Sequence, residues 1–176
     1  IPVVAMLEDT LGAMLERGHL LDAVIAQSEA QRKAMWKRRE DAGEIAFHGG
    51  PAVMTDVAVP LDKVAAFERG VTARLKALDP DAKEMIVAHL GDGNIHHTTY
   101  VSRNDPNILK AAVEAVEDVV QELGGTFSAE HGIGLSKLDT MRRRKDPVAL
   151  DAMRAIKAAL DPKNILNPGK VIPPPD

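Results

Sequence analysis

The stretch KEMIVAHLGDGNIHHTTYV, residues 83–101, decides the fold. Residues 83–89 and 95–101 flank a glycine turn and read as the paired strands of a hairpin. If Gly91 to Asn94 form a four-residue loop, Leu90 pairs with Ile95 and His89 pairs with His96. Directly opposed residues share a face, with Cβ atoms roughly 4.5–5.5 Å apart. Two imidazoles at that spacing can chelate one divalent ion. Asp92-Gly93 supplies residues that tolerate the positive φ such a turn needs. His97 points to the other face. Taken alone, the segment has a second reading: a good hairpin turn with incidental histidines.

Working outward, Val53 to Val59 alternates with period two, as a strand does. Asp62 is placed to N-cap a helix running to Leu78, with Val64, Phe67, Val71 and Leu75 on one face. On the far side, Asp105-Pro106 opens a helix over 107–122 with Ile108, Ala112, Val116 and Val119 inward, and Gly124-Gly125 stops it. A short strand over 126–129 and a last helix from Asp146-Pro147 to Leu160 follow, then a Pro- and Asn-rich tail. The order strand-helix-strand-strand-helix-strand is the ferredoxin-like split βαβ pattern. The expected class is therefore α+β: an antiparallel sheet with helices on one face, plus C-terminal helices and tail. Upstream, 7–18 has helical spacing, 22–26 is a short apolar run that suits a strand, and Ser28 can cap a helix to about Glu40. Residues 41–51 read as a loop.

The chain has 176 residues, 45% hydrophobic and 27% charged, with no cysteine and a formal net charge of -4. That is ordinary globular composition, long enough to bury a core without disulfides. A metal can sit only on His, Asp or Glu. The acidic balance argues against a nucleic-acid partner, whose phosphates need clustered Lys and Arg. No apolar run approaches the roughly 20 residues of a membrane span. The expected location is cytoplasmic, with peripheral attachment at the inner membrane as a variant. The chain begins at Ile1 rather than Met and is expected to be a piece of a longer polypeptide.

Three further segments could carry chemistry. In GGTFSAEHGIGLSK, residues 124–137, Glu130 could complete a His-His-Glu site with open positions for substrate, and His131 could act as a general base. Extended backbone sends neighbours to opposite faces, so the flexible glycines are expected to turn His131 into the same cavity. A structural turn with a solvated histidine is the competing reading. Trp36-Lys37-Arg38-Arg39-Glu40 offers a guanidinium that can clamp a carboxylate bidentately, or else a solvated basic face. LDPKNILNPGK, residues 160–170, is by composition a helix stop and a tail. His19 and His48 read as ordinary surface or loop residues, and Arg142 to Lys145 as a solvated helix end or a patch that meets another domain. There is no Walker loop, no G-x-G-x-x-G and no G-x-S-x-G elbow.

Together HLGDGNIHH, GGTFSAEHGIGLSK and LDPKNILNPGK resemble the C-terminal domain of FAD-linked oxidases, the family of D-lactate dehydrogenase, the glycolate oxidase D subunit and D-2-hydroxyglutarate dehydrogenase. The resemblance implies that residues 1–176 form a substrate-side cap over an N-terminal FAD-binding domain, which this chain lacks. It implies metal ligation by His89, His96 and Glu130, a base at His131, substrate-carboxylate binding by Arg39, and a place near the flavin for Asn167. It also implies FAD and a divalent metal, Zn or Mn, as cofactors. The implied partners are a small 2-hydroxy acid, the flavin domain and an electron-transfer partner, with a homodimer as a candidate assembly. The implied activity is oxidation of a D-lactate- or glycolate-type 2-hydroxy acid to the 2-oxo acid. This chain departs from the 2-hydroxyglutarate branch at Thr98, where that branch has Asn, and at Met54, where it has Lys. Both changes favour a smaller or more apolar substrate. The alternative is a non-catalytic ferredoxin-like module that binds a metal or ligand or mediates assembly.

Overall fold

The structure is a computed structural model that describes residues 2–45, 49–89 and 91–174, apart from the side chains of Ala42 and Ile45. The chain divides into two compact units, Ile1–Phe47 and His48–Asp176. The first holds helices α1 (Val3–Glu16) and α2 (Glu29–Ile45). Ser28 caps α2 as expected, its Oγ accepting the Gln31 N–H at 3.2 Å. The helix then runs past Glu40 into the stretch expected to be a loop, supported by a Lys37–Asp41 pair at 2.9 Å, one turn apart. The expected strand at 22–26 is irregular backbone: it pairs with no strand among the described residues, and the Ala23 N–H is taken by the Asp22 side chain at 2.8 Å. His48 lies outside the described residues.

The second unit is built on strands β1 (Ala52–Ala58), β2 (Lys83–His89) and β3 (Asn94–Tyr100), antiparallel in the order β1-β3-β2. Helices α3 (Val64–Leu78) and α4 (Pro106–Glu122) pack together, and their apolar stripes meet one face of the sheet. Phe67, Val71 and Leu75 of α3 and Ala112, Val116 and Val120 of α4 join Val57 and Ile95 in the core. Each large apolar side chain so buried contributes about 1.5–3 kcal/mol. Asp62 does not cap α3. It sits inside a 3-10 turn, Leu61–Lys63, that precedes the helix. Asp105 and Asp146 do cap α4 and α6 (Pro147–Leu160), accepting N–H groups of Asn107 and Ala149 at 2.8 and 2.9 Å.

The fourth expected strand shrinks to one bridge, Thr126 with Ala58 on the free edge of β1. Beyond it one further backbone bond, from the Ala129 N–H to the Asp56 carbonyl at 3.3 Å, keeps the chain beside β1. The chain re-enters regular structure at α5 (Leu138–Arg144), whose Arg144 is not a solvated helix end. Its guanidinium grips buried Glu117 at 2.8 Å and Asp118 at 2.7 Å, clamping α5 to α4. Among the described residues no helix is long and apolar enough to cross a membrane.

The hairpin register differs from the expected one. His89 stands opposite Asn94, and His96 opposite Val87. The His89 carbonyl accepts N–H groups from Asp92 (3.3 Å) and Gly93 (3.1 Å), while the Asp92 side chain accepts the Asn94 N–H at 3.0 Å. The turn thus closes one residue earlier, and Asn94 already belongs to β3. Leu90, expected to pair with Ile95, lies outside the described residues. The two histidines become diagonal neighbours, two positions apart in register, and so still share a face.

Gly93 is required here. Its φ is 79°, and a Cβ would lie 2.1 Å from the Val59 carbonyl oxygen. Gly93→Ala should therefore cost about 2 kcal/mol or more in urea unfolding. Gly91→Ala, with nothing within 4 Å of its Cβ, should stay within about 0.5 kcal/mol.

A second test concerns the turn after α6. The Lys157 ammonium, with the N–H groups of Ile165 and Leu166, outweighs burial and holds the Asp161 carboxyl down to about 2. Because the folded value is depressed, that stabilisation is complete above the ordinary carboxylate range and is lost as pH falls toward 2. Thermal unfolding of wild type between about pH 5 and pH 2 should lose this increment, and Asp161→Asn should have a flatter acid limb.

Candidate metal centre

The second face of the sheet, turned away from α3 and α4, carries the candidate chemistry. β3 alternates strictly: Ile95, His97 and Thr99 face the helices, and Asn94, His96 and Thr98 face the other way. His97 is fully buried against the edge of Phe67, with its Nε2 2.9 Å from Glu84. Burial pushes its imidazole below the ordinary value while Glu84 pulls against it. His97 belongs to the core.

His96 is different. Its Nε2 lies 3.2 Å from His89 Nε2 and 2.9 Å from Glu130 Oε1. Glu130 Oε1 is also 3.7 Å from His89 Nε2 and 3.6 Å from His131 Nε2. The structure thus brings His89, His96, Glu130 and His131 together, from two strands and one loop. Two imidazole nitrogens at 3.2 Å need a proton or a cation between their lone pairs. Donors around a tetrahedral ion at about 2.1 Å from each are about 3.4 Å apart, so this spacing suits zinc-like coordination. Imidazole nitrogens and a carboxylate oxygen are ordinary donors to first-row divalent ions.

The loop gets Glu130 and His131 onto one side by a route the sequence reading did not give. The glycines do not turn it by themselves; Asp56 does. Its Oδ2 accepts the N–H groups of Ala129 (3.2 Å), Glu130 (3.1 Å) and His131 (2.9 Å) in succession. The Ala129 N–H also meets the Asp56 carbonyl at 3.3 Å, so the chain stays beside β1 as far as 129, and the next two N–H groups then turn onto the one anion. Lys137 Nζ reaches the same oxygen at 3.3 Å, and Asn94 Nδ2 donates to Oδ1 at 3.2 Å. Burial raises the Asp56 carboxyl, but the His131 N–H, the Asn94 amide and the Lys137 ammonium together hold it down to about 2. Lys137 also donates to Ser128 Oγ at 2.9 Å, and Ser128 Oγ donates to the Gly132 carbonyl at 2.9 Å, closing the loop at φ 70° of Gly132.

Asp56, Asn94 and Lys137 were missed as site residues. The available signal was a lone carboxylate in the apolar run VMTDVAV, which demands buried partners. Of the other expected residues, Arg39 lies on α2 in the first unit, with an exposed side chain. Asn167 is exposed in the tail at φ 47°, its Oδ1 3.5 Å from Lys170 Nζ. Met54 and Thr98 are direct cross-strand partners, and Met85 flanks Thr98 on its other side. All three share the face of His96.

Residues 4–171 match the family described as FAD linked oxidases, C-terminal domain. Among curated proteins, the chain is 36% identical over 162 residues to D-2-hydroxyglutarate dehydrogenase of Stutzerimonas stutzeri, covering 89% of this chain and 35% of that protein. It is 35% identical over 164 residues to the mitochondrial D-2-hydroxyglutarate dehydrogenase of Bos taurus, covering 93% and 30%. It is 33% identical over 157 residues to a probable mitochondrial D-lactate dehydrogenase of Danio rerio, covering 86% and 31%. The chain spans about a third of the length of these relatives.

Proposed function

This chain belongs to the C-terminal domain family of FAD-linked oxidases, and from that premise we propose that it is the substrate-side catalytic domain of a 2-hydroxy acid dehydrogenase, working with a separate FAD-binding domain. The observation that supports this best is the convergence of His89, His96, Glu130 and His131 on one side of the sheet. A purely structural or assembly module has no need of three metal-type donors and a fourth titratable ring at one point.

In this reading His89, His96 and Glu130 hold the divalent ion. When bound, the ion supplies positive charge that acidifies the substrate hydroxyl, and the flavin supplies the hydride acceptor. The chain's own residues do the rest. His131, whose side chain is largely exposed beside Glu130, takes the hydroxyl proton on its ring nitrogen. The family resemblance assigns the substrate carboxylate to the guanidinium fork of Arg39 and a flavin contact to Asn167.

We assign the substrate's remaining substituent to the row Met54, Thr98 and Met85. Two thioethers and a hydroxyl offer no cationic partner to a second carboxylate. This supports a D-lactate- or glycolate-type acid over a dicarboxylic one.

His131→Ala in the enzyme assembled with its flavin domain should slow flavin reduction by about 10²–10⁴-fold in stopped flow. Metal content should be retained, because the other three donors remain. Loss of metal would make His131 a ligand, and an unchanged rate would make it a loop residue. The substrate assignment has its own test. Met54→Lys combined with Thr98→Asn should shift the kcat/KM ratio toward a dicarboxylic 2-hydroxy acid by about tenfold or more, the size of one added charge-assisted hydrogen bond. An unchanged ratio would remove this row from the substrate pocket.

A further inference from the structure

We infer that Asp56 is the positioning residue of the metal centre, a single buried carboxylate that sets both the ring of His96 and the backbone at Glu130. The inference rests on the metal reading proposed above. Asp56 stands opposite His96 in the β1–β3 register, and its Oδ1 is 3.6 Å from His96 Nδ1. The other ring nitrogen, Nε2, is the one that faces Glu130 and His89. Asp56 therefore lies on the far side of the imidazole from the converging donors. A negative charge there favours the proton on Nδ1 and leaves the Nε2 lone pair free for a cation. Carboxylates placed behind metal-binding histidines act in this way.

The second oxygen works on the loop. By accepting three successive N–H groups from 129 to 131, it fixes the backbone from which Glu130 projects. A ligand role for Asp56 itself is disfavoured by the same contacts. Its Oδ2 is saturated by donors that include the Lys137 ammonium, which would repel an ion at that oxygen. An imidazole also cannot present both nitrogens to one ion, so an ion shared by Asp56 and His96 Nδ1 would give up His89.

The test uses Co²⁺ as the probe on the 176-residue chain. Wild type should bind it with the visible absorption of a nitrogen- and oxygen-ligated, low-coordinate site. Asp56→Asn keeps every proposed ligand, yet its affinity should fall about 10- to 100-fold, with a changed band intensity from a loosened geometry. An Asp56→Asn chain that binds as tightly as wild type, with the same spectrum, overturns the positioning role while leaving the metal site standing. Absence of Co²⁺ binding by wild type overturns the metal reading and this inference together. A measurement on wild type alone covers the case in which the variant does not fold. The imidazole ¹⁵N shifts of metal-free protein should show His96 as the Nδ1–H tautomer, and a predominant Nε2–H form overturns the inference.

Discussion

A carboxylate inside a sheet cannot be left without donors, and the way Asp56 is satisfied organises much of the second unit. Its partners come from three directions: Asn94 on the neighbouring strand, Lys137 at the entrance to α5, and the N–H groups of residues 129–131. The last of these fold the chain beyond the Thr126 bridge into a compact loop. That loop is held at both ends, by the Thr126 bridge to Ala58 and by the clamp of Arg144 on Glu117 and Asp118. An exposed glutamate and an exposed histidine are thereby carried on backbone that has little freedom. The buried charge has a cost of its own, since desolvating an unpaired carboxylate is worth several kcal/mol. Full donor coverage offsets that cost.

The fold was largely legible because its signals are periodic. The alternation in 53–59 and the 3.6-residue spacing of Phe67, Val71 and Leu75, and of Ile108, Ala112 and Val116, need no tertiary information to be read. The convergence of His89 and His96 was legible as well, but by the wrong register. The pairing fails by one residue on each strand because the Asp92 side chain and the His89 carbonyl close the turn early. Parity survived that error, so the shared face did too.

What stayed hidden depends on contacts distant in sequence. No local pattern says that the N–H of His131 will find a side chain 75 positions away. The same holds for α5, where Arg143 and Arg144 read as a solvated basic run until Glu117 is placed beside them. The 22–26 run failed in the opposite direction: its local composition suits a strand, and no ladder partner is supplied. Local propensity proposes an element, and pairing decides it.

β3 carries two adjacent histidines with opposite environments, His96 among the converging donors and His97 sealed against Phe67 and Glu84. This alternation bears on how related chains can differ in length. Adding or deleting one residue of β3 ahead of these histidines would exchange the two rings, putting His97 where a donor is wanted and His96 into the helix-packed layer. Changes by two residues would preserve both environments. Indels within β3 should therefore be tolerated only in even steps, while the tail beyond α6, whose residues ride on short turns, is free of any such parity.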